Sequence, residues 1–117
     1  MPHGFWGSGS EPNPGKVQLL GNAGGTFSNL SGISTAPLTL NKWTHVVGTY
    51  KSGNGNLYID GVLDANTTTS GSLTANTQPV YVGFASSAFA GGACGSGSYF
   101  NGLIDDIRVY NRALSAS

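Results

Sequence analysis

The sequence predicts an all-β protein, an antiparallel β-sandwich, and three observations carry that prediction. Glycine supplies 19 of 117 residues, and 38% of the chain is hydrophobic. The apolar residues fall in short β-branched and aromatic runs separated by Gly, Ser, Thr and Asn, the pattern of many short strands joined by turns. Trp43 to Asp64 reads as three adjacent strands from local rules alone. Only 9% of residues are charged, but 10% are aromatic, so the chain can form a packed core where a disordered one cannot.

Residues 1–15 form an irregular N-terminal segment, with Pro2, Pro12 and Pro14 among Gly and Ser, and with Phe5 and Trp6 as its aromatic exceptions. Residues 16–117 form one domain. Lys16 to Leu20 is a short strand, ended by Gly21-Asn22. Ala23 to Ser34 is a polar link, carrying Phe27, Leu30 and Ile33, in which part forms a strand. Pro37 to Leu40 leads to a corner at Asn41-Lys42.

Trp43 to Tyr50 is rich in the residues that suit a half-buried pleated surface, with Trp43 and His45 at same-face spacing. Lys51 to Gly55 breaks the run with glycines able to adopt positive φ. Asn56 to Ile59 alternates, with Leu57 and Ile59 apolar. Asp60-Gly61 is a strong two-residue hairpin signal, and Val62 to Thr69 resumes the strand. Ser70 to Ser72 is a turn. Val80 to Phe84 is a strand after Pro79, and Ala85 to Ser98 is a long Gly/Ala/Ser loop of the kind that meets ligands. Tyr99 to Tyr110 is the last strand, with Ile104 and Val109 in the core, and Asn111 to Leu114 makes a single helical turn. No helix of ordinary length is expected.

Composition excludes several functions. Five Lys and Arg balance five Asp and Glu, and the absence of a basic cluster argues against nucleic acid. No apolar run reaches the roughly 18 residues of a membrane span. Residues 1–7 lack the basic start and apolar stretch of a signal peptide, which fits a cytosolic chain or a piece of a longer one. Cys94 is the only cysteine, so no internal disulfide forms and no thiolate cluster holds a metal.

The blocks WTHVVGTY (43–50), LYIDG (57–61), VYVG (80–83) and FNGLIDDIRVYNRALS (100–115), in that order, resemble the laminin G-like jelly rolls of the concanavalin A-like lectin/glucanase superfamily. The resemblance covers the later part of the family pattern. It implies a jelly-roll sandwich that lacks the family's N-terminal strands, and an extracellular or cell-surface setting. A sandwich short of strands exposes unpaired edges. Either a second copy closes it as a homo-oligomer, or residues 1–15 cover the gap.

The resemblance implies non-catalytic binding, of carbohydrate or of a cell-surface or matrix ligand. The alternative is a structural or assembly half-domain that homo-oligomerises and has no sugar site. A groove lined by aromatics favours the first; an apolar interface of about 1,600 Å² favours the second. For a sugar, aromatic faces and amides near loops are needed, and Trp6, Phe89, Tyr99 and Asn101 are the candidates, with Asn54, Asn56 and Asn76 also available.

An enzyme is not expected. Glycosidases place two carboxylates about 5–5.5 Å or 6.5–9.5 Å apart across one bond. Neighbouring Asp105 and Asp106 would point to opposite faces of a strand, and Glu11 is the only glutamate. The acids have two readings. In one, a carboxylate accepts backbone N–H groups or pairs with Arg108 or Arg112. In the other, which the resemblance raises, Asp105, Asp106 and Asn101 contribute oxygens to a calcium site. His45 is read as a sheet residue with one hydrogen bond.

Overall fold

The computed structural model describes residues 15–75, 77, 82–85 and 98–115. Seven strands are found among them: β1 (Gln18–Ala23), β2 (Thr26–Ile33), β3 (Val46–Lys51), β4 (Asn54–Ile59), β5 (Val62–Thr68), β6 (Phe84–Ala85) and β7 (Ser98–Tyr99). All pair antiparallel, in sheets ordered β1-β2, β3-β4-β5 and β6-β7.

The turns follow from backbone chemistry. β1 and β2 meet at Gly24-Gly25, with φ of 59° and 82°. β3 and β4 meet at Ser52-Gly53, and β4 and β5 at Asp60-Gly61, again with both central residues at positive φ. Two-residue turns of that handedness match the twist of the strands they join, which is why Gly, Asn and Asp dominate them.

The β1-β2 hairpin lies over one face of β3-β4-β5. Gly55 marks the closest approach: a Cβ there would overlap the Leu30 carbonyl oxygen. Opposite residues of an antiparallel pair share a face, so Gly48, Leu57 and Ala65 form one inward rung. Leu57 is 1% exposed and Leu30 2%, and Val17 and Ala23 are also buried. Polar groups share this interior. Ser31 has no exposed surface; its hydroxyl accepts the Leu19 N–H at 2.8 Å and donates to the Gly32 carbonyl at 2.8 Å. Ser34 does the same for Val17 N–H (3.0 Å) and the Ala36 carbonyl (2.9 Å). These hydroxyls satisfy backbone where the β1-β2 register shifts between Gln18 and Leu20.

The hairpins expected at residues 43–69 form, with adjusted limits. The first of these strands begins at Val46 rather than Trp43, because residues 43–45 make no ladder; Trp43 is exposed, and His45 precedes the strand instead of lying on it. The first break is only Ser52-Gly53, so Asn54 and Gly55 are strand. Gly21-Asn22 does not end β1, which runs on to Ala23 because the true turn is Gly24-Gly25. The polar link 23–34 supplies β2, which carries the buried Leu30.

The end of the chain corrects the reading most. The strand expected over Tyr99 to Tyr110 stops at Tyr99, and residues 101–112 are exposed. Asp106 sits at φ 53°, a left-handed conformation that turns the chain in mid-run. Ile104 and Val109 are therefore not core residues; they are 45% and 84% exposed. Asn111 to Leu114 bends without a helical turn. The N-terminal segment up to residue 14, Cys94, residues 78–81 and residues 86–97 lie outside the described residues.

Candidate functional site

Of the expected site residues, Tyr99, Asn101, Asp105 and Asp106 lie among the described residues. Trp6, Phe89 and Asn76 lie outside the described residues. Tyr99 pairs through its backbone with Phe84, and Phe100 N–H donates to the Gly83 carbonyl at 2.8 Å. Asn101 follows, exposed.

Asp105 and Asp106 are exposed and already engaged. The Asp105 carboxylate accepts the Asp106 N–H at 2.7 Å. The Arg108 guanidinium donates to Asp106 Oδ1 at 3.0 Å. Hydrogen bonding to Tyr110, and then to Asp106, raises the Arg108 pKa above its ordinary value, so this group stays charged. Calcium takes six to eight oxygens in a cage. Among the described residues no three His, Cys, Asp or Glu side chains cluster, and the exposed set Asn101, Asp105 and Asp106, with one acid held by an arginine, does not fit such a cage.

A cleft of about 110 Å³ lies at the turn end of the three-stranded sheet, lined in part by Pro37, Lys42, Thr44, Ile59, Asp60 and Asp64. Both its carboxylates are occupied. Asp64 accepts the Thr35 N–H at 2.8 Å on one oxygen and the Thr35 hydroxyl at 2.9 Å on the other. Asp60 accepts the His45 N–H at 2.9 Å and faces Lys42 Nζ at 3.7 Å. Ligand pockets usually run to about 300–1,000 Å³. This cleft is small, and its acids fix loops onto strand ends.

The outer face of β3-β4-β5 is the better candidate. Residues at every second position along β4 share a side. Asn54, Asn56 and Tyr58 therefore stand on the side away from the β1-β2 hairpin. The register extends each into a rung: Lys51–Asn54–Thr68, Thr49–Asn56–Asn66 and Val47–Tyr58–Leu63. The rungs grade from polar at one end to apolar at the other. Opposite Cβ atoms in such rungs stand about 4.5–5.5 Å apart. Asn54, Asn66, Thr68 and Leu63 are exposed, Asn56 and Tyr58 half-buried, and Thr49 buried at the centre. Each amide offers donors and an acceptor, and the sheet fixes their directions. Sequence reading noted Asn54 and Asn56 but missed Tyr58, Asn66 and Thr49. The signal was the period-2 spacing Asn54, Asn56, Tyr58 once the inward Leu57 was placed.

This arrangement of antiparallel sheets packed face to face agrees with comparison to known proteins. Residues 4–117 match the laminin G-like family of the concanavalin A-like lectin/glucanases superfamily. The chain belongs to that superfamily. It is also similar to the crystal structure of an S-layer domain-containing protein (residues 221–444) from Clostridium thermocellum, at 29% identity and a TM-score of 0.59. The match covers 88% of this chain and 49% of that structure, so this concanavalin A-like chain spans about half the length of its solved neighbour. No match is found among curated protein sequences. Among the described residues no helix is long and apolar enough to cross a membrane.

Proposed function

We propose that this concanavalin A-like domain is a non-catalytic binding module for a neutral glycan, acting outside the cell or at its surface, with the outer face of β3-β4-β5 as its binding surface. The observation that carries this is the Thr49–Asn56–Asn66 rung lying beside the Val47–Tyr58–Leu63 rung. A sugar presents hydroxyls around its rim and C–H groups on its faces. Fixed amides meet the first, and an aromatic ring meets the second. Lys51 is the one charged residue among the nine of these rungs, which suits a neutral ligand better than a polyanion. The family and the S-layer domain-containing neighbour support an extracellular setting and a binding role.

The experiment is calorimetric titration with a panel of soluble neutral oligosaccharides, glucan, mannan and xylan fragments among them. One or more should bind, and Tyr58→Ala and Asn56→Ala should each weaken it by roughly tenfold, the effect of losing one well-placed contact. Affinity should change little between low and high salt, because no charge pair is involved. No reducing ends should be released. Binding that both variants leave intact, or no binding across the panel, would overturn the assignment.

A further inference from the structure

The dipeptide Asn-Gly occurs twice in the chain, at Asn54-Gly55 and at Asn101-Gly102. It carries a chemistry of its own. The backbone nitrogen after an asparagine can attack the side-chain carbonyl carbon. Glycine crowds that attack least, because it has no Cβ and the freest backbone. The fold puts the two copies in opposite settings.

Asn54-Gly55 is locked. It opens β4, the central strand of its sheet, where Gly55 stands between Tyr50 and Thr67. Gly55 is buried, and the Leu30 carbonyl lies against it. An antiparallel strand holds ψ near about +135°, which turns the next nitrogen away from the side chain. Closing a ring at Asn54 would require rotating that peptide out of the ladder. Asn101-Gly102 is open. The chain is anchored just before it, where Tyr99 pairs with Phe84 and the Phe100 N–H donates to the Gly83 carbonyl at 2.8 Å. Asn101 and Gly102 belong to no strand, the chain bends at Gly102, and both residues are exposed. The Phe100 ring stands against the Gly102 α-carbon, but it is 41% exposed and can swing aside.

We infer that Asn101 is a site of spontaneous deamidation, and that the fold protects Asn54 from the same reaction. The Gly102 nitrogen bonds to Asn101 Cγ. The bond from Cγ to the amide nitrogen breaks, and ammonia leaves with the proton that the Gly102 nitrogen gave up. Water then opens the cyclic imide at either carbonyl, giving aspartate or isoaspartate. Water is the one co-reactant, and nothing is oxidised or reduced. The chain has no formal net charge, so the reaction leaves it negative, with the new carboxylate close in sequence to Asp105 and Asp106. The isoaspartate product also lengthens the main chain by one carbon just past the Phe100 anchor. A neutral bend thus becomes acidic as the protein ages.

The test is incubation of the full chain in warm, mildly alkaline buffer, with a parallel sample held unfolded in urea. Samples taken over time are digested briefly in acid, and aspartate and isoaspartate at both positions are measured by mass-spectrometric peptide mapping. In the folded chain Asn101 should convert at least roughly a hundredfold faster than Asn54, because a paired strand reacts only from its rare open state. In urea the two rates should come together. Asn101→Gln, whose longer side chain closes a ring far more slowly, should abolish the product at position 101 over the same period, and Gly102→Ala should slow it. A folded chain in which Asn101 stays intact, or in which both positions convert at equal rates, would overturn the proposal. So would an Asn54 that stays protected in urea, since the difference would then lie in the flanking sequence and not in the fold.

Discussion

His45 and Asp60 exchange two hydrogen bonds across 15 residues of chain. The His45 N–H donates to Asp60 Oδ1 at 2.9 Å, and the Asp60 N–H donates to the His45 carbonyl at 2.8 Å. Asp60 thus closes the β4-β5 turn at φ 50° and extends the β3-β4 ladder by one side-chain-assisted pair. Asp60→Ala removes the acceptor and leaves alanine in a left-handed conformation. It should cost about 2 kcal/mol. Asp60→Asn keeps an acceptor and tolerates that φ, so it should lose less than half as much. The measurement is the urea midpoint at unchanged slope; equal loss in both variants would refute this role. The Lys42 contact is solvent-exposed, and Lys42→Ala should change stability little.

Leu57→Ala should cost about 2–5 kcal/mol, because it empties the most enclosed apolar position between the hairpin and the sheet. Ile104→Ala and Val109→Ala should each stay within about 0.5 kcal/mol, as exposed substitutions do. Denaturant midpoints of the three variants compare them directly. A large loss at Ile104 or Val109 would put the final segment back in the core.

Gly55→Ala should be among the costliest single-methyl changes in the chain. The added carbon meets backbone, the Leu30 carbonyl, which cannot swing aside as a side chain can. The hairpin must lift off the sheet, at about 3 kcal/mol or more. Gly61→Ala is the control. Its φ is 80° but nothing lies within 4 Å, so only backbone strain is felt, about 1–2 kcal/mol. Thermal melts of the two variants should fall in that order.

The legible part of the sequence was the part governed by neighbours in the chain. Asp60-Gly61 announces its own turn and the glycines of Lys51 to Gly55 announce a break, within which only Ser52-Gly53 forms the turn. β2 was only partly legible because its polar residues face backbone instead of water: Ser31 is buried by serving Leu19 and Gly32, which no periodicity reveals. Residues 103–110 misled for the opposite reason. Their apolar alternation is a strand's, but Asp106 turns the chain, and nothing local to a sequence states whether an apolar face is met by its own sheet or left outside it. The proposed binding face was half legible: the amides of β4 are visible at a glance, whereas Asn66 joins them only through the β4-β5 register, which slips at the bulge between Leu57 and Tyr58.

The buried Ser31 and Ser34 hydroxyls have a calorimetric consequence. Hydrating apolar surface raises the heat capacity of unfolding, and hydrating polar surface lowers it. Where the hairpin meets the sheet, hydroxyls and backbone occupy space that aliphatic carbon fills in most domains. The heat-capacity increment per residue should therefore fall below the usual range of about 12–15 cal/mol/K, giving a stability curve that bends little with temperature. Such a domain changes its free energy of folding slowly between cold and warm surroundings.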